Sequence, residues 1–153
     1  MARLYLIKPS AMKMVYTTDQ AVGNGCANRR DDVLLVQFFL KVISEGPGKG
    51  DFTPAGRGPL NIDGLWGPTS QAFLNQYIAV NSADNPTSPL TRDGRVDPVV
   101  NGRVSGSRSG HVYTILALNN TYKNVRGPAA LQDITTDSLF PQELRPSIQI
   151  KNQ

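Results

Sequence analysis

The chain has 153 residues, 39% of them apolar, with 14 Gly and 11 Pro, and it sets 16 Lys and Arg against 12 Asp and Glu for a formal charge of +4. That length provides for one modest core rather than two, and the Gly and Pro content predicts long irregular connections. Cys26 and His111 are the single cysteine and histidine, which excludes an intrachain disulfide and a metal site of three or four His and Cys ligands, while no run approaches the ~18 apolar residues of a membrane span.

Met1 to Pro9 holds an apolar run too short for a signal-peptide core and closed by Lys8 and Pro9. The expectation is synthesis in the cytoplasm without a signal peptide. Leu4–Ile7 and Met14–Thr17 read as two short strands, followed by the turn residues Gly23-Asn24-Gly25. Between Asn28 and Ser44 the period changes. Val33, Val36, Leu40 and Ile43 recur at spacings of three and four, with Leu35 and Phe39 widening the face, which predicts an amphipathic helix. Asn28 is the expected N-cap, Asp31 and Asp32 suit the positive end of the helix dipole, and Gly46-Pro47 stops the helix.

Gly46 to Leu60 is turn-rich. Its Gly48-Lys49 pair lacks both the following Ser or Thr and the earlier Gly of a phosphate loop. In the next stretch, Asp63-Gly64 predicts a tight turn, Gly67 a backbone swing, and Pro68 the first position of a helix running to about Val80 with Ala72, Phe73, Leu74 and Tyr77 on its apolar side. Trp66, the single tryptophan, precedes that helix as a plug between helices or as a surface on which a ligand stacks. Residues 81–110 read as a long polar loop with a hairpin around Val99-Val100 and Arg103-Val104. His111 to Tyr122 reads as a third helix, with a strand as the alternative. Beyond Asn124, Leu131, Leu139, Phe140, Leu144 and Ile148 lie among three prolines. This predicts extended or irregular chain laid over the core or over a partner.

Two of these pieces together resemble the peptidoglycan-binding-like domain family. Asp32, Val33, Val36, Gln37 and Leu40 match its first-helix pattern, and Ile62, Asp63, Gly64, Trp66, Gly67, Pro68, Ser70 and Ala72 match its turn-and-helix pattern, with Ser70 in place of the usual Thr. The lead-in Ala21–Arg29 is similar to that of members accompanying bacterial secretion systems and phage-type cell-wall proteins. Asp93-Gly94-Arg95-Val96-Asp97-Pro98 reads as a degenerate second copy of the turn, without its Gly-Pro. The resemblance covers about residues 21–80, and 93–122 weakly. It implies a mainly α fold, a small three-helix bundle with short β segments, long loops and extended termini. Residues 1–22 are then an N-terminal extension, 23–123 the helical domain with its loop at 81–110, and 124–153 an extended C-terminal arm.

Functionally the resemblance implies a non-catalytic module that binds peptidoglycan through its stem peptide or glycan, within or delivered with a larger particle. Gln37, Trp66, Gln71 and Arg92 are the candidate ligand contacts, while Asp63, Gly64, Gly67, Pro68 and Ser70 set the turn. The alternative is a structural or adaptor subunit of a phage tail or contractile injection apparatus. No cofactor or metal is expected. Cys26 and His111 lack a recognisable catalytic context, and neither Glu45 nor Glu143 has a partner acid at a useful spacing. Arg92, Arg95, Arg103 and Arg108 crowd one loop, yet no nucleic-acid motif accompanies them. The arms are expected to pack on other protein subunits, since ends of this composition order only when held.

Overall fold

The computed structural model describes residues 2–6, 14–46, 49–99 and 113–151. The chain runs through β1 (Arg3–Leu6), β2 (Met14–Thr17), β3 (Val22–Gly23), α1 (Arg30–Glu45), α2 (Lys49–Phe52), α3 (Pro68–Asp84), β4 (Arg95–Val96), α4 (Thr114–Arg126) and α5 (Pro128–Gln132). Two 3-10 segments, Ile134–Thr136 and Gln142–Ser147, then lead to β5 (Gln149–Lys151). This is a mainly α bundle with short β segments, in which α1, α3 and α4 are the long helices.

α1 is the axis of the molecule. Beyond the expected apolar face, Leu34, Phe38 and Val42 are buried as well, because the helix packs against α4, α3, α2 and the second 3-10 segment. A helix apolar on all sides requires such enclosure. Phe38 lies edge-on to Phe140 with ring centroids 5.5 Å apart, and Phe38 and Phe39 each meet Tyr122 at 5.5 Å. These rings join α1 to α4 and to the chain that follows it.

The start of α1 differs from expectation. Arg29, not Asn28, is the N-cap. Asn28 sits in the left-handed region (φ 48°) and its carboxamide is committed to Gly23, accepting from the amide at 2.8 Å and donating to the carbonyl at 3.1 Å. Asp32 is fully buried and accepts from the amides of Asp19 and Gln20 at 2.9 and 3.0 Å. The carboxylate thereby fastens the lead-in segment to the helix.

α3 begins at Pro68 as its sequence requires and runs to Asp84, four residues past the expected end at Val80. Phe73, Leu74, Tyr77 and Ile78 are its buried side, and Phe52 of α2 stacks on Tyr77 at 5.7 Å. The expected long loop is shortened further by β4, which pairs antiparallel with β3 through Val22↔Val96 and Gly23↔Arg95. Val99 is buried and outside any strand. The rest of the expected hairpin, with His111 and Val112 of the expected third helix, lies outside the described residues. α4 itself spans Thr114–Arg126 and buries Ile115, Leu116, Leu118 and Tyr122.

Both flanking regions are built into this core. β1 pairs antiparallel with β2 and parallel with β5, so β1 has a strand on each side and no edge for a partner strand, contrary to the expectation for the Leu4 run. The expected C-terminal arm starts inside α4 and continues as α5, the 3-10 segments and β5 rather than as extended chain. Leu131, Ile134, Phe140 and Leu144 are buried against the chain's own helices. Of the two placements open to this region, over the core or over a partner, these side chains take the first. Their order follows from burial of their own apolar surface and needs no second subunit.

Candidate functional site

Two Asp-Gly turns bracket α3, and they share one local geometry. Asp63 Oδ1 accepts from the Leu65 amide at 3.0 Å, and Asp93 Oδ1 accepts from the Arg95 amide at 3.0 Å. The glycine after each aspartate has positive φ, +75° at Gly64 and +67° at Gly94. A Cβ at Gly64 would lie 2.8 Å from Arg30 Nη1, and one at Gly94 would lie 2.6 Å from Asn24 Nδ2. The positive φ favours glycine at both positions, and at Gly64 the Arg30 stem also crowds the space a Cβ would take.

Each turn is held by a glutamine. Gln37 of α1 is 0% exposed. Its Oε1 accepts from the amides of Asp63 at 3.1 Å and Gly64 at 2.9 Å. Its Nε2 donates toward Asp63 Oδ1, the Leu65 carbonyl and Ser70 Oγ at 3.0–3.1 Å. The amide is saturated inside the protein, so the expected ligand contact is unavailable to Gln37. Gln71 of α3 accepts from the Trp66 indole nitrogen at 2.8 Å and donates to the Gly94 carbonyl at 2.9 Å and Asn75 Oδ1 at 3.0 Å. It couples the two turns across α3 and is likewise engaged.

The first turn is also tied outward. Arg30 donates to the Asp63 carbonyl at 2.8 Å and pairs through both Nε and Nη2 with the Glu143 carboxylate. The Arg30 guanidinium holds the Glu143 carboxyl below its usual range. Asp63 is held low chiefly by the Leu65 N–H, with Gln37 adding to it. Glu45 pairs with Lys41 at 3.1 Å, so the two glutamates of the chain are both in ion pairs and far from a shared task. Among the described residues no group of three His, Cys, Asp or Glu side chains is placed to hold a metal ion, and no helix is long and apolar enough to cross a membrane.

Trp66 is half-buried, packed on the core and edging a shallow depression of about 280 Å³ together with Pro59, Asp63, Leu65 and Pro68. Leu65 projects there with 68% exposure. Gly67 and Ser70 play the parts their sequence implies: Gly67 is extended and caps α3, and Ser70 is buried beneath Gln37. Beside the second turn lies another depression, of about 330 Å³, where Arg92 and Asp93 face Asn24, Asn75 and Ile78. Arg92 is exposed and makes no hydrogen bond or ion pair among the described residues.

Of the four expected contacts, the structure brings Trp66 and Gln71 into direct contact, places Arg92 on the far side of Gln71, and sinks Gln37 beneath the first turn. Sequence reasoning named Asn24 and Asp93 as turn residues only, and missed Asn75. Asn75 was legible as the residue one helical turn after Gln71, whereas Asn24 reaches the site only through the β3 to β4 pairing. Comparison with family models, with curated proteins and with solved structures finds no match to this chain.

Proposed function

We propose that the chain is a non-catalytic peptidoglycan-binding module, acting within or delivered with a larger particle. The observation that carries this reading is the depression beside the second turn, where Arg92, Asp93, Asn24 and Asn75 present hydrogen-bonding groups to solvent over the apolar Ile78. Stem peptides offer carboxylates, amides and short aliphatic chains, and each finds a counterpart there. The motif resemblance supports the same reading through its weaker parts, since Asn24 of the lead-in and Asp93-Gly94 of the degenerate second turn line this surface. Trp66 stands beside the frame rather than in this depression, and acts by holding Gln71.

The test is co-sedimentation of the full chain with insoluble sacculi at low salt, where electrostatic help is greatest. Retention is expected, with Arg92→Gln weakening it and Cys26→Ala leaving it intact. A chain that stays wholly in the supernatant refutes the proposal. Release of soluble muropeptides by clean protein refutes its non-catalytic part.

A structural or adaptor subunit of a phage tail or contractile injection apparatus is the second reading. What favours it is Leu65, a large apolar side chain left exposed beside Pro68 and Trp66. Loss of particle assembly by Leu65→Ser, with wall binding absent throughout, would favour this reading over the first.

A further inference from the structure

We infer that the depression beside the second turn takes the zwitterionic end of a diamino-acid side chain, an ammonium and a carboxylate on one carbon. This rests on the wall-binding reading and names the part of the wall that is held. The polar side chains that line the depression have unused hydrogen-bonding capacity among the described residues. Arg92 has no partner among the described residues. Asp93 gives one carboxylate oxygen to the Arg95 amide and makes no other hydrogen bond there. Asn75 uses its Oδ1 to accept from Gln71, and its Nδ2 is free among the described residues. Asn24 donates its backbone amide to the Gly94 carbonyl at 3.2 Å, and its carboxamide makes no hydrogen bond among the described residues.

One cation, one anion and two amides beside one another match a ligand bearing both charges better than a sugar, which is neutral at its hydroxyls. The guanidinium takes the carboxylate in a forked pair. The Asp93 carboxylate takes the ammonium. Ile78 and Ala79 supply an apolar floor for the methylene stem that carries them. Two like ligand charges would leave one protein charge facing its own sign.

The experiment is calorimetric titration of the full chain with three soluble peptides: L-alanyl-γ-D-glutamyl-meso-diaminopimelate, the same peptide amidated at its distal carboxylate, and the lysine analogue. The diaminopimelate peptide should bind best, by about five-fold over each of the others, the scale of one exposed charge pair. Arg92→Gln should abolish the preference over the amidated and lysine peptides. Asp93→Asn, which retains the Oδ1 acceptor of the turn, should weaken all three together, because each keeps its distal ammonium. Both positions are exposed, and circular dichroism verifies that each variant is folded. Equal affinity for the three peptides, or no binding of any, overturns the inference while sacculus retention can persist. Loss of retention with the peptide preference kept overturns the wall reading alone.

Discussion

Asn119 presents its carboxamide to the backbone of Tyr16 as a neighbouring strand would, accepting the amide hydrogen at 2.8 Å and donating to the carbonyl at 2.8 Å. The same Nδ2 also donates to Ile115 O at 2.8 Å, which fixes the side chain on α4. One buried amide thus closes the outer edge of β2 and joins the small sheet to the bundle. Asn119→Ala leaves a buried donor and a buried acceptor without partners, and each orphaned group costs about 1–3 kcal/mol. A loss of about 3 kcal/mol in urea denaturation is expected. Asn119→Asp should lose at least as much, since a carboxylate would then face the Tyr16 carbonyl.

Gln37 serves the first turn in the same manner, with both of its polar atoms engaged. Gln37→Leu fills the volume yet strands the buried Gly64 amide and the Ser70 hydroxyl, for an expected loss of about 2–4 kcal/mol. Gln37→Glu keeps the acceptor but sets a carboxylate against Asp63 Oδ1. Chemical denaturation should rank it below wild type at neutral pH and nearer to it in acid, where the new carboxyl is protonated.

Alkaline unfolding should be steep. Burial raises the Tyr16 hydroxyl to about 12, burial raises that of Tyr77, and burial together with the hydrogen bond to Asp137 raises that of Tyr122. An unfolded tyrosine releases its proton near pH 10. The native form retains it longer, so these groups contribute stability below pH 10 that is lost as pH climbs toward 12 and beyond. Phenolate absorbance from these three of the five tyrosines should appear together with loss of helical circular dichroism. Phenolate signal from all five in a chain still folded would contradict this.

A chain ended after Gly127 should not fold cooperatively. It would remove Leu131, Ile134, Phe140 and Leu144 from the core. Each buried apolar side chain of this size contributes about 1.5–3 kcal/mol, so the four amount to about 6–12 kcal/mol, on the order of a whole domain's stability. A sharp thermal transition in the shortened chain would show that the helical domain stands alone.

What the sequence disclosed and what it concealed divide along the range of the forces involved. α1 and α3 were legible because periodicity, Pro68 and the Asp63-Gly64 pair act within a few residues. Asn28 reads as a cap because Asn suits both a helix start and a left-handed turn residue; its carboxamide closes the local turn back to Gly23 instead. α5 and the 3-10 segments carry too little local preference to announce themselves, being a turn or two each and held by α1 and α4. The pairing of β1 with β5 has no local signature at all. Gln37 misled for a chemical reason: an amide able to grip a ligand is equally able to grip a backbone turn. Arg92 is legible as a charge, whereas its setting among Asn24 and Asn75 depends on the fold.

The bond between Trp66 and Gln71 makes the molecule its own optical gauge. Trp66 is the single tryptophan, and the amide that accepts from its indole nitrogen also donates to the Gly94 carbonyl at the second turn. A ligand that draws on Asn75 or shifts Gly94 changes the field around the excited indole without touching it. Emission colour should therefore shift on occupation of a depression the ring does not line, and Gln71→Leu should silence that shift while the ligand still binds. Loading and unfolding can then be read from one native fluorophore, with no label attached.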